Sequence, residues 1–167
     1  YEAKFTSATD IGNWGVGFMG REDFNLTNAT RNFVGFYNYD GGEIWVANVS
    51  NNTATTADYG TFSNGDIIGI ALDYDNEYIS VYKNGSAIVT NFDYGAVGTS
   101  STVKGGKFIS PVFFNYGSGA ISANFGNGFF GTTAITSAGS NGNGSLFEYD
   151  VPSGFYALNT KNINTYG

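Results

Sequence analysis

Asn64-Gly65-Asp66-Ile67-Ile68-Gly69-Ile70-Ala71-Leu72-Asp73 is followed, after a polar turn, by Tyr78-Ile79-Ser80-Val81-Tyr82-Lys83-Asn84-Gly85. Side chains on a strand alternate between its two faces. Ile68, Ile70 and Leu72 therefore share one face, and Ile67, Gly69 and Ala71 share the other. Both faces are apolar, which predicts a central strand buried on both sides. Asp73-Tyr74-Asp75-Asn76-Glu77 is rich in turn formers and sends the chain back through 78–83. Asn84-Gly85 tolerates positive φ at both positions, which predicts a second tight hairpin turn.

The same reading extends outward. Tyr1, Ala3 and Phe5 alternate with Glu2, Lys4 and Thr6, the period of a half-buried strand. Residues 14–19 (WGVGFM) and 33–38 predict further strands. Asp40-Gly41-Gly42 turns the latter into a returning strand at 43–49. Residues 108–114 form a strand whose Pro111 places it at an edge or a bulge. Ile121, Ala123 and Phe125 mark one more strand. Polar stretches at 21–32, 50–58 and 93–107 read as loops. Residues 131–145 are rich in Gly, Ser and Asn, and 146–167 read as a closing strand with a tail. The expected architecture is all-β: two antiparallel sheets packed face to face over residues 1–130, with a short C-terminal extension.

Composition supports this. Gly numbers 25 and aromatics reach 17%, while charged residues are only 13%, a balance suited to short strands and tight turns rather than amphipathic helices. At 167 residues the chain suits one domain with a core of useful size. The net charge of −7, with seven Lys and Arg, excludes a phosphate-neutralising groove and argues against anionic membranes. The absence of Cys and His excludes disulfides, thiol nucleophiles, most zinc sites and a Ser-His-Asp triad. No apolar run reaches membrane-spanning length. The chain opens on Tyr1, inside a strand pattern, and is expected to be a piece of a longer polypeptide.

The 64–85 block resembles the SPRY signature, in which a Gly-Asp pair opens an apolar strand and an Asn-Gly turn follows the next. Trp14-Gly15-Val16-Gly17-Phe18, the Pro-containing 108–114 stretch and Asn124-Phe125-Gly126 resemble further SPRY segments, in order, over about residues 1–130. The resemblance implies a jelly-roll-like sandwich that binds rather than catalyses. Residues 147–162, Phe147 to Asn162, resemble a segment that follows SPRY modules in bacteriophage structural proteins. That implies a virion-surface component such as a tail fibre, a head or neck appendage or a capsid decoration. Its partners would be other virion proteins or a host surface protein or glycan, within a larger oligomeric assembly. No cofactor is implied.

Candidate binding residues are Tyr37, Asn38, Tyr39, Asp40 and Trp45, grouped about one turn. Aromatic side chains there suit stacking on sugars or filling protein pockets. The competing reading is sheet packing, strongest for Trp45, which lies within a strand. Asp73, Asp75 and Glu77 have the alternate oxygen spacing of calcium ligands but lack the full calcium-loop pattern, so turn formation is the first reading. Asp66, Asp73, Asp75, Glu43 and Glu148 are the carboxylates available for glycoside hydrolysis, and no two stand out as a pair. A lectin-like carbohydrate-binding module is the alternative function, with a glycan hydrolase behind it. Six Asn-X-Ser/Thr triplets, at Asn25, Asn28, Asn48, Asn51, Asn84 and Asn143, read as products of an Asn-rich composition.

Overall fold

A computed structural model describes residues 1–6, 14–20, 33–38, 42–47, 52–54, 58–97, 109–115, 118–159, 162 and 164. In chain order the elements are β1 (Glu2–Thr6), β2 (Trp14–Gly20), β3 (Phe33–Tyr37), β4 (Glu43–Ala47), β5 (Asn52–Ala54), β6 (Ile67–Asp73), β7 (Tyr78–Lys83) and β8 (Ser86–Asp93). They continue with a single helical turn α1 (Tyr94–Val97), then β9 (Ile109–Asn115), β10 (Ala120–Asn124), β11 (Phe129–Phe130) and β12 (Thr133–Ala134). One five-stranded sheet has the order β10-β1-β6-β7-β8, the other β5-β4-β3-β2-β9. Every pairing within them is antiparallel. The fold is an all-β, SPRY-like antiparallel sandwich with a small extra hairpin of β11 and β12.

The sheets meet across an apolar core. Ala3, Phe5, Ile68, Ile70, Ile79, Val81 and Val89 come from the first sheet, and Trp14, Val16, Phe18, Val34, Phe36, Ile44 and Val46 from the second. Each large side chain removed from water here contributes about 1.5–3 kcal/mol. Phe62, from the loop before β6, plugs one end, with its ring centroid 4.1 Å from that of Phe5. The apolar double face of β6 places it at the centre of its sheet, between β1 and β7. Asn84 and Gly85 take φ values of 49° and 80°, the left-handed conformations a two-residue hairpin requires. Among the described residues the proline-bearing β9 pairs with β2 alone and forms an edge, as Pro111 requires.

The expected closing strand at 146–167 is not formed among its described residues. This stretch makes turns, with one isolated bridge between Asn127 and Leu146. The cause is local and specific. Pro152 has no N–H, Gly154 sits at φ 87°, and the Phe155 N–H donates back to the Pro152 carbonyl at 3.1 Å. The glycine-rich stretch before it is ordered against it: Gly139 N–H donates to the Phe147 carbonyl at 2.8 Å and Val151 N–H to the Ser140 carbonyl at 2.9 Å.

Candidate functional site

The predicted binding cluster falls at the β3–β4 end of the second sheet. Val34 and Phe36 point into the core, so alternation turns Gly35 and Tyr37 outward. On β4, Ile44 and Val46 point in, and Glu43 and Trp45 point out. Register sets Tyr37 opposite Glu43 and Gly35 opposite Trp45. The Tyr37 and Trp45 rings lie parallel, 4.7 Å apart with 10° between planes. Both are half-buried, and the half-buried Glu43 adjoins them. Trp45 is thus an outer-face residue rather than a core one.

Glycine sets the strand spacing on this face. Gly17 and Gly35 are directly paired, and the Phe33 ring lies across both. A Cβ on Gly17 would fall on the Val34 carbonyl oxygen, and one on Gly35 on the Val16 carbonyl oxygen. The two strands approach too closely here for any side chain.

Asn38 faces the other way. It is 1% exposed, its Oδ1 accepts the Phe62 N–H at 2.8 Å, and its Nδ2 donates to the Phe62 carbonyl at 3.1 Å. Both amide groups are thereby committed to holding Phe62 over the core. Tyr39 and Asp40 lie outside the described residues.

The candidate calcium residues sit in the β6–β7 turn. Asp73 Oδ1 accepts the Asn76 N–H at 3.0 Å, and Oδ2 accepts Asn76 Nδ2 at 2.8 Å. Glu77 adopts φ 60°. Among the described residues no three His, Cys, Asp or Glu side chains group to hold a metal. The candidate hydrolytic carboxylates are likewise dispersed in local hydrogen bonds. Glu148 accepts from the N–H and hydroxyl of Thr136. Asp66 accepts Asn84 Nδ2 at 2.7 Å and the Ser63 N–H at 2.7 Å, and pairs with Lys83 at 3.2 Å. Burial raises the Asp66 pKa, but these partners together outweigh it and hold the carboxyl below its usual range. Asn84 also accepts the Ile67 N–H at 2.9 Å, so this sequon asparagine is bound into its own turn.

The acid that reasoning from sequence passed over is Glu2. Alternation places it on the outer face of the first sheet, where a carboxylate is ordinarily hydrated. It is instead 5% exposed. Its oxygens accept the N–H groups of Glu148 and Tyr149, each at 2.9 Å, and Asn124 Nδ2 at 3.3 Å. The C-terminal segment is thus pinned across the outer face, with Phe147 and Ala157 buried beneath it and the Tyr149 ring against Gly85. Desolvation by burial raises the Glu2 pKa above its ordinary value, and the two backbone N–H groups offset only part of that rise.

Between this segment and the first sheet lies an apolar groove of about 330 Å³, bordered by Leu72, Tyr82, Tyr149 and Phe155. Among the described residues the arrangement offers surfaces and grooves rather than a reacting constellation. The comparison with known families agrees: residues 1–127 match the SPRY domain. The chain belongs to the SPRY family. SPRY domains are non-catalytic protein-interaction modules, and this chain is one of them. No curated protein matches it. The match does not include the C-terminal segment that lies across the first sheet.

Proposed function

We propose that this SPRY domain is a virion-surface module that attaches to a neighbouring virion protein or a host surface, with the Tyr37–Trp45 face as its contact. The observation that carries this reading is the parallel ring pair on an outer face, beside Glu43. Stacked aromatic rings on a sheet face give contact area at small entropic cost. The resemblance of residues 147–162 to the segment following SPRY modules in phage structural proteins supports the virion setting. So does the net charge of −7, which suits protein or neutral glycan partners better than nucleic acid. Asn38 serves this face indirectly, by fixing the end of β3 through Phe62.

The test is adsorption competition. Purified protein is added to host cells before the source phage, and the Trp45→Ala variant is compared with the parent chain. The expected result is that the parent slows adsorption and Trp45→Ala weakens that effect about tenfold, the scale of a truncated aromatic anchor. Equal competition by both removes this face from attachment. The flat ring pair also favours a lectin-like reading, since ring faces stack on sugars. Periodate oxidation of the host surface distinguishes the two, because only glycan-dependent adsorption is abolished.

A further inference from the structure

We infer that Asn143-Gly144 is a site of spontaneous deamidation, and that its conversion loosens the first anchor of the C-terminal segment. An asparagine followed by glycine can lose its side-chain amide without an enzyme. The peptide nitrogen of the glycine, deprotonated by hydroxide, attacks Cγ of the asparagine. A bond forms from that nitrogen to Cγ, and the bond from Cγ to the amide nitrogen breaks. The amide nitrogen takes a proton from water and leaves as ammonia, which returns the hydroxide. Water then opens the cyclic imide at either carbonyl and leaves aspartate or isoaspartate. Glycine favours the attack because it has no Cβ and turns freely about φ.

The chain carries five Asn-Gly steps, at Asn64, Asn84, Asn127, Asn141 and Asn143. As dipeptides all five are equivalent. The fold separates them by what it does to the attacking nitrogen and to the amide that must leave. At Asn64 the Gly65 N–H donates to the Phe5 carbonyl at 2.8 Å, so the nucleophile is held. At Asn127 the Gly128 N–H donates to the Leu146 carbonyl at 3.1 Å, and the asparagine Oδ1 accepts the Phe129 N–H at 3.2 Å. At Asn84 both ends of the side chain are engaged, Oδ1 by the Ile67 N–H and Nδ2 by Asp66. Each of these steps must break a hydrogen bond of the folded state before Cγ and nitrogen meet.

Asn141 and Asn143 are both exposed. Among the described residues no hydrogen bond holds either side chain or the N–H groups of Gly142 and Gly144. Both asparagines sit in the left-handed region, at φ 62° and 50°, which an L-residue occupies at a cost. Gly142 is the more confined of the two glycines, because a Cβ there would come within 2.2 Å of the Ser145 carbonyl oxygen. Gly144 is exposed. Asn143 is therefore the first of the pair to react.

The consequence follows from the next residues. Asn143 and Gly144, at φ 50° and 84°, form a two-residue turn that the Ser145 N–H closes on the Gly142 carbonyl at 2.8 Å. Ser145 is buried, its Oγ accepts Asn159 Nδ2 at 2.9 Å, and its side chain fills the space beside Gly126. The Leu146 N–H then donates to the Gly126 carbonyl at 2.9 Å. Isoaspartate adds a methylene to the main chain inside the turn, so the turn no longer closes with Ser145 in its seat. The site involves neither Tyr37 nor Trp45 and stands whatever that face binds.

The test is resolved by site. The 167-residue protein is held at mildly alkaline pH, digested at intervals and mapped by mass spectrometry, with isoaspartate detected by an isoaspartyl methyltransferase. Asn143 is expected to convert at least about tenfold faster than Asn64, Asn84 and Asn127, the factor that breaking a hydrogen bond or two supplies. In urea-unfolded protein the five steps convert at similar rates, which assigns the difference to the fold. As isoaspartate accumulates, amide exchange at Ser145 and Leu146 accelerates by about tenfold while β3 and β4 keep their rates. An Asn143→Gln variant loses the fast step and keeps the slow exchange, because its longer side chain closes the larger ring slowly. If that variant fails to fold, the folded-against-urea comparison carries the test on the unaltered chain. The proposal is overturned by equal rates at the five steps in the folded protein, by any other step reacting first, by no conversion of Asn143 while folded, or by isoaspartate there that leaves Leu146 exchange unchanged.

Discussion

The two sheets treat their outer faces in opposite ways. The first buries a carboxylate there and covers it with the chain's own C-terminal segment, held through the Glu148 and Tyr149 N–H groups. The second presents a parallel Tyr37–Trp45 pair beside two paired glycines that the buried Phe33 ring covers. The same pleated alternation generates both. What differs is what the chain lays over them: a segment that supplies backbone donors in one case, and aromatic rings in the other. A buried acceptor needs donors, so the first face is closed by polar pairing. The second is shaped by sterics, since paired glycines let the strands approach and let the Phe33 ring lie flat across them.

The sharpest test of that contrast exchanges one hydrogen for a methyl on each sheet. Gly35→Ala is expected to destabilise the protein by about 3 kcal/mol, the upper range for overpacking, because its Cβ meets backbone that cannot move aside. Gly69 also lies on an outer face, but its Cβ would stand 3.4 Å from the Tyr82 Cβ, an ordinary contact. Gly69→Ala is expected to change stability by no more than about 1 kcal/mol, and the better strand propensity of Ala favours the variant. Urea denaturation midpoints decide the matter. Equal losses at both positions would mean that the glycines of the second sheet have no special steric duty.

Removal of the carboxylate tests the first face. Glu2→Ala leaves the Glu148 and Tyr149 N–H groups without their acceptor in a buried setting, and the expected cost is about 2 kcal/mol. The loss is expected to be local. Amide exchange should accelerate at Glu148 and Tyr149, and proteolysis should cut within 146–159, while β3 and β4 keep their protection. Uniform acceleration across both sheets would show that the segment is integral to the core rather than laid over it.

How much of this was readable beforehand depends on sequence distance. The β6–β7 hairpin was fully legible, because alternation, Asp73–Asn76 hydrogen bonding and the Asn84-Gly85 turn are all decided within 64–85. Pro111 located an edge for the same reason. The Tyr37–Trp45 contact was half legible: the residues stood out, but their stacking depends on register, which sets Trp45 over Gly35. The Glu2 clamp was not legible at all. Its partners lie 146 and 147 residues away, and nothing within Tyr1–Thr6 distinguishes a covered carboxylate from a hydrated one. The misread closing strand has the same origin. Its side-chain alternation around Pro152 suggests a strand, but its N–H groups at 148 and 149 are taken by a side chain from the far end of the chain.

The smallest expected effect separates the two buried or partly buried acids by the sign of their pH dependence. Burial raises the Glu2 pKa above its ordinary 4.5, so the folded state takes up its proton more readily than the unfolded state. The stability this contributes is fully present below about pH 4.5 and is lost as pH rises through the folded-state pKa. Asp66 is held below its ordinary 3.8, so its contribution is present above that pH and is lost as pH falls through the lowered folded value. Denaturation of the parent, Glu2→Gln and Asp66→Asn proteins between about pH 3 and 7 therefore yields two difference curves. The parent should gain on Glu2→Gln during acidification from neutrality toward pH 4.5, and should lose its advantage over Asp66→Asn only below pH 3.8. Curves that fall together on acidification would mean that the Glu148 and Tyr149 N–H groups outweigh burial at Glu2. The C-terminal segment would then be held by a carboxylate that strengthens, rather than weakens, as the solution approaches neutrality.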